Sequence, residues 1–338
     1  MSTDTKQLPS TPSGKIAAAR QQRRLALLLL SKYGTLIGML AMIVIFSAAA
    51  PASFPTLSNF VNIFNQASLV AIISGGLTVA LIAGEMDLSV GYVASLAGVL
   101  VTGLMVDQHI AVPLAILAVL LVGAGIGLVN GLIVTKARVN AVIATLGTGT
   151  IVVGLNYAYS TGVPIASGVP KAFLNIALGK VFGIPDDIII MLALLALLWL
   201  ILNRTDLGQQ IQAVGGNVEA ARLSGIRVDQ VKITAFMITG ICAALTGLLL
   251  SSLIGSGTIG AADSYLLNAF AAVFLGSATL KDGEFHIPGT LIGVLIIGIG
   301  FNGLAIFGVP TFYQYVFQGV ILVVAVGLST VARRFSKA

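Results

Sequence analysis

From Gly34 onward the chain is a succession of apolar runs separated by short stretches of Gly, Pro, Asn and charge. Read against those breakers, the runs mark ten candidate helices at residues 34–52, 66–84, 88–106, 111–134, 140–160, 187–202, 233–254, 264–280, 288–308 and 311–332. Most approach the roughly 20 residues that carry a helix across the hydrocarbon core of a bilayer. The pattern predicts an all-α polytopic membrane protein of about ten transmembrane helices. Composition agrees: of 338 residues 57% are hydrophobic and 9% charged, and the mean hydropathy is +1.03, more apolar side chain than one soluble core can cover. In the fourth run, "GAGIGLVNG" sets Gly123, Gly127 and Gly131 on one helical face, a spacing that lets membrane helices approach closely.

Charge sets the direction. With the N-terminus in the cytoplasm, sixteen of the 18 Lys and Arg fall on cytoplasmic segments, and only Lys171 and Lys180 fall outside. An excess of Lys and Arg marks cytoplasmic loops, so both termini are expected on that side. The +6 net charge then belongs to short loops rather than to a soluble basic face, which argues against nucleic acid as a partner.

Residues 1–33, opening "MSTDTKQLPSTPSGK", are expected to be a disordered basic cytoplasmic N-terminus. The apolar stretch that follows ends in small residues at Ala48–Ala50 and so resembles a secretory signal. Pro51 directly after it, and nine further runs, favour an uncleaved first helix. Residues 34–332 form the predicted transmembrane domain, with a cytoplasmic loop at 203–232, and 333–338 a basic cytoplasmic tail. Outside, residues 160–187 read as a structured loop with a short helix, long enough to meet another protein.

The chemistry inventory is thin. Cys242 is the single cysteine, which excludes an intramolecular disulfide. His109 and His286 stand far apart at run ends and read as solvated loop residues. No HExxH, CxxC or GxSxG constellation occurs, and Gly14-Lys15 and Gly179-Lys180 are followed by Ile and Val, so no phosphate-cradling GxxxxGK[ST] loop is present. No catalytic residue, metal site or cofactor bound by this chain is expected. "LSGI" (223–226) shares three letters with an ATPase signature, but no Walker sequence accompanies it.

Two polar stretches stand out. "IAGEMDLSVGYVA" turns the chain between the second and third runs, with Gly84 ending one helix, Asp87 as N-cap of the next, and Glu85 and Gly91 beside them. Capping, a gating or partner contact, and proton coupling are its three readings. In the loop 203–232, Gly215-Gly216 breaks the chain, Asn217 is a strong N-cap, Glu219 suits the positive first turn, and Gly225 suits a left-handed exit. Together they predict a helix over 218–224. A helix that short is marginal alone, so it packs on the protein's own cytoplasmic face or enters a cleft on a soluble partner.

Here the residues carry a resemblance. "EAARLSG" (219–225) resembles the E-A-A-x-x-x-G coupling motif in permease subunits of ABC importers. "IAGEMDLSVG", "VNAVIATLGTGTIVVGL" (139–155), "RTDLGQQIQAVGGNVEAARLSGI" (204–226) and "LLNAFAAVFLGSATL" (266–280) are similar to segments of the ribose, xylose and arabinose type of sugar permease, from about residue 60 to 330. Three departures occur: Glu85 stands where the family usually has Gly, Asn140-Ala141 replace Pro-Phe, and "KDGEFHIPG" (281–289) lacks a run of glycines.

The resemblance implies a permease in the bacterial inner membrane that translocates a monosaccharide or related polyol. A periplasmic sugar-binding protein would deliver it, and separate ABC ATPase subunits, which bind ATP and Mg, would drive it. A second permease copy would complete a homodimer in the lipid membrane. Gly216, Asn217, Glu219, Ala220, Ala221 and Gly225 would form the ATPase-coupling segment. Thr145, Thr148, Thr150, Asn156, Asn268 and Asn302 are candidates for hydrogen bonds to sugar hydroxyls along the path. On the residues alone, an ion-coupled secondary carrier of a small neutral solute and an intramembrane enzyme stand as alternatives.

Overall fold

The computed structural model describes residues 34–280 and 283–336, with side chains as far as residue 327. The expectations for 1–33, for Lys281 and Asp282 and for the basic side chains of 333–338 lie outside the described residues.

The chain is mostly helical. In order it forms α1 (Gly34–Ala49), α2 (Leu57–Ile82), α3 (Val90–Val106), α4 (Val112–Thr135), α5 (Ala141–Ser160), α6 (Lys171–Leu178), the two-residue strands β1 (Lys180–Val181) and β2 (Ile184–Pro185), and α7 (Asp186–Arg204). Then follow α8 (Asp206–Gly216), α9 (Val218–Leu223), α10 (Val228–Ile254), α11 (Tyr265–Ser277), α12 (Ile287–Ile306) and α13 (Thr311–Ser336). Among the described residues six helices, α2, α4, α5, α7, α10 and α12, are long and apolar enough to cross a membrane, and α1, α3, α11 and the first part of α13 are shorter apolar helices. The protein is thus a multi-pass membrane protein. The loop 160–187 is structured as expected, holding α6 and the β1–β2 hairpin, and Ile165 bridges to Gly257.

Three boundaries differ from the sequence reading. α2 starts at Leu57 rather than near 66, because the Thr56 hydroxyl accepts from the Asn59 amide and caps a polar first stretch that hydropathy passes over. α10 begins at Val228, five residues early, so that Asp229 and Lys232 lie within its first two turns. α8 was not foreseen; Thr205 caps it by accepting from Gly208 N, and Gly215-Gly216 end this helix rather than interrupting a loop.

The core is organised around α10, which packs against α2, α3 and α4. The contact with α4 runs along the glycine stripe: a methyl group at Gly123 would sit 2.4 Å from the Gly240 carbonyl oxygen, at Gly127 2.3 Å from that of Phe236, and at Gly131 2.7 Å from the Ile233 Cα. The two helices therefore run antiparallel, backbone on backbone. α2 also meets α10 antiparallel, with the Thr239 hydroxyl donating to the Gly76 carbonyl and that of Thr246 to Leu69. α3 runs parallel to α10, because Gly247 lies against Ala94 and Gly98 against Ser251. Cys242 is buried in this core against Gly76.

A side chain at Gly127 must push two helix backbones apart, an overpacking that costs about 1–3 kcal/mol or more. Gly127→Leu is expected to lower the thermal aggregation midpoint of the detergent-purified protein by several degrees. Gly125→Ala, which meets nothing within 4 Å, is expected to leave it unchanged.

Candidate functional site

The short helix α9 is built as its residues dictate. The Asn217 side-chain Oδ1 accepts from Ala220 N at 3.0 Å, Glu219 lies in the first turn and pairs with Arg222 at 2.9 Å, and Gly225 leaves with φ +82°. Ala221 is its one buried residue, whereas Leu223 is 88% exposed. A leucine left exposed at the end of a short polar helix is an unpartnered apolar group. Beside it opens a cleft of about 880 Å³, lined by Lys136, Arg138, Arg222, Arg227 and Lys232 with Asp229 as its only acid. Lys136 pairs with Asp229 at 2.6 Å, tying the end of α4 to the start of α10.

The helices on either side of α9 are anchored to the turn between α2 and α3. Gly215, at the end of α8, lies against the Ile82 carbonyl so closely that a Cβ would sit at 1.7 Å. Glu85 pairs with Lys232 at 2.5 Å, with the two side chains 12% and 19% exposed. The acid that departs from the family pattern thus has a partner one turn into α10. Asp87 is not the N-cap. Helix α3 begins two residues later behind Ser89, and the buried Asp87 carboxylate accepts from both the amide and the hydroxyl of Ser89. The reason is that residues 85–87 carry no regular structure and 88–89 form a turn before α3. Glu85 meets Lys232, the fifth residue of α10, while Ala94 meets Gly247, the twentieth. α10 rises about 22 Å between them, a height nine chain steps cover only if part is unwound.

From Ser89 the polar chain continues inward. The Asn130 amide donates to the Ser89 hydroxyl at 2.9 Å, the Thr148 hydroxyl donates to the Asn130 carbonyl at 2.5 Å, and the Thr145 hydroxyl accepts from Leu88 N at 3.0 Å. Gly91 lies against the carbonyls of Ala262 and Asp263. Thr145 and Thr148 are therefore bound up in holding the α2–α3 break to α4 and α5. Thr150 donates to the Leu146 carbonyl at 3.0 Å and is exposed. Asn302 exchanges two hydrogen bonds with Asn59, at 3.0 and 2.9 Å. Asn156 and Asn268 differ: both are buried, and each leaves its Oδ1 without a hydrogen-bond partner.

Sequence reasoning missed three features. Asp187, at the edge of the sixth run, is fully buried and accepts from Asn65 at 3.0 Å and Ser68 at 2.8 Å. His286 is not a solvated loop residue; it is buried and caps α12 by accepting from Gly289 N at 2.9 Å. Finally, an inverted repeat is written in "GIGLVNGL" (125–132) and "GIGFNGL" (298–304), near the ends of α4 and α12, both of which open with Pro in the first turn. α4 lies antiparallel to α10 and α12 antiparallel to α2, which itself opposes α10, so the two copies point in opposite directions. Matching these two short stretches would have revealed it. Among the described residues no group of three His, Cys, Asp or Glu could hold a metal ion.

A multi-pass helical bundle with a short exposed helix between its spans and paired helix breaks has the character of a transport permease. Residues 59–326 match the family described as branched-chain amino acid transport system / permease component, and the chain belongs to this family. It is 38% identical over 298 residues to a ribose import permease of Bacillus subtilis (strain 168), covering 88% of this chain and 92% of that protein. It is 34% identical over 300 residues to a D-allose transport system permease of Escherichia coli (strain K12), covering 88% and 91%. To a galactose/methyl galactoside import permease of Haemophilus influenzae it is 35% identical over 300 residues, covering 83% and 89%. No solved structure matches the chain.

Removing one partner of the Glu85–Lys232 pair leaves a largely desolvated charge, with a cost somewhat below the roughly 3–5 kcal/mol of a fully buried pair. Glu85→Gln and Lys232→Met are each expected to lower thermal stability in detergent. The charge-swapped double variant, Glu85→Lys with Lys232→Glu, is expected to regain most of the loss; equal additive losses in all three would show that the pair does not couple the turn to α10.

Proposed function

We propose that this chain is the membrane-spanning subunit of an ABC importer for a monosaccharide or related polyol, in a bacterial inner membrane. The single observation that carries the reading is family membership combined with an exposed helix α9 on a chain that has no ATPase loop of its own. The sugar assignment rests on relatives named for ribose, allose and galactose at 34–38% identity over most of their length. All ten apolar helices would span, with both termini cytoplasmic. A periplasmic binding protein would deliver the solute at the outer face, where α6 and the β1–β2 hairpin stand. Separate ATPase subunits, holding ATP and Mg, would grip α9, and a second copy of the chain would complete the path.

The geometry supports a mechanical role for α9. Leu223 offers an apolar knob, and the basic cleft beside it suits an acidic rim on the partner. α9 leads in four residues to α10, whose base carries Lys232 and whose far end runs into the chain break after Ile254. Displacement of α9 would therefore reach both helix breaks through one packed helix. A secondary carrier is less well supported, because the family is one of transport-system permeases and the buried acids Asp87 and Asp187 are already held by hydroxyl and amide donors.

Two α9 variants test this reading in vesicles reconstituted with the cognate ATPase. Gly225 sits at a φ that proline cannot adopt, and Glu219→Arg sets a cation at the positive end of the helix. Both variants are expected to insert normally yet to lose ATPase copurification or to cut sugar uptake by an order of magnitude. Unchanged uptake in both would overturn the docking role; uptake that persists without ATP and collapses with the proton gradient would overturn the importer.

A further inference from the structure

The segment after α10 does not leave the helix bundle. Gly257 lies against Gly98, Val99 and Thr102 of α3, and six residues later the Asp263 carboxylate accepts from the Ser95 hydroxyl at 2.6 Å while Ala262 N donates to the same hydroxyl at 3.0 Å. The chain from 257 to 263 thus runs back down α3, unwound, from the level of Thr102 to that of Ser95 and Gly91. α11 then has only 13 residues, about 20 Å, to complete a crossing of about 30 Å. Irregular backbone at this depth is tolerated where protein covers it or where it lines a wet cavity.

The side chains distinguish the two cases. On α11, Ser264 and Leu267 are exposed, and Asn268, one turn beyond Ser264, borders the same sector. Helical side chains lean toward the N-terminus, so the Asn268 amide lies over Ser264, at the break. It is 7% exposed, and its Oδ1 has no hydrogen-bond partner. Asp263, partly exposed, lies at the same break just before α11. A carboxylate facing lipid would be costly, and a buried amide oxygen without a partner is costly unless a solute completes its hydrogen bonding; beside a polar path both are hydrogen-bonding groups held ready. The sequence reading placed 255–263 in an outer loop and so did not count Asp263 among intramembrane groups.

We propose that the break between α10 and α11 is a contact site for the transported solute, a neutral polyhydroxyl compound whose hydroxyls donate to Asp263 and exchange hydrogen bonds with Ser264 and Asn268. This rests on the sugar-permease reading. The exposed sector around Ser264 and Leu267 is then the wall of the path rather than a lipid face.

Cysteine accessibility tests it on the full chain with its ATPase and binding protein in vesicles. The native Cys242 is buried, so the wild type is its own blank. Ser264→Cys and Leu267→Cys are expected to react with a membrane-impermeant thiosulfonate in at least one nucleotide state, and sugar-loaded binding protein is expected to slow that reaction at least fivefold. Asp263→Asn and Asn268→Ala are each expected to slow uptake at saturating loaded binding protein at least threefold. Failure of both cysteines to react in every state, while Leu223→Cys reacts, would overturn the proposal; copper-catalysed cross-linking between copies at Ser264→Cys would assign the sector to a dimer contact instead. ATP-driven sugar uptake by the same wild-type vesicles keeps these failures distinct from a failure of the importer reading itself.

Discussion

The backbone-on-backbone packing of α10 against α4 is the constraint on which the rest depends. Inside a bilayer there is no bulk hydrophobic drive between helices, so association rests on close contact and internal hydrogen bonds. Gly123, Gly127, Gly131 and Gly240 allow that contact, and Thr239 and Thr246 add bonds from α10 to the α2 carbonyls. With α10 fixed between α2, α3 and α4, the height of every neighbouring segment is set. This is why residues 85–87 leave the helix and why 257–263 return along α3.

Two helix breaks therefore meet at one place. Gly91 has no side chain because the carbonyls of Ala262 and Asp263 occupy that space. One break is closed by a complete polar chain through Asp87, Ser89, Asn130 and Thr148, and the other leaves an amide oxygen and a partly exposed carboxylate. The first has the character of a fastening, the second that of a contact surface. α10 connects both to α9, through Lys232 at its base and Ile254 at its far end. The chain thereby has a continuous packed route from the surface at α9 to its interior.

Much of this was legible in the sequence, because each legible feature depends on local chemistry. Apolar length located the long helices, four-residue glycine spacing marked the close-packing face of α4 though not its partner α10, and Asn217, Glu219 and Gly225 wrote α9 with its cap and exit. What was missed depends on tertiary placement. Hydropathy sees a polar break such as 255–263 and assigns it to a loop, since nothing local tells that α3 stands beside it. The same blindness hid the burial of Asp187 and His286, whose partners are supplied by α2 and by the start of α12. Glu85 was noticed as a departure, but its partner Lys232 lies 147 residues away. Among the path candidates, only their surroundings could separate the satisfied Thr145, Thr148 and Asn302 from Asn156 and Asn268.

The central claim is that α10 acts as a rigid link between α9 and the inner break. Leu223 and Ile254 are both exposed, at 88% and 53%, and lie at opposite ends of that link. Spin labels on Leu223→Cys and Ile254→Cys, measured by pulsed dipolar spectroscopy in the reconstituted permease–ATPase complex, report its length directly. The account expects one narrow distance distribution that is the same without nucleotide and with ATP bound. A shift of several ångströms, or a second population on adding ATP, would contradict it.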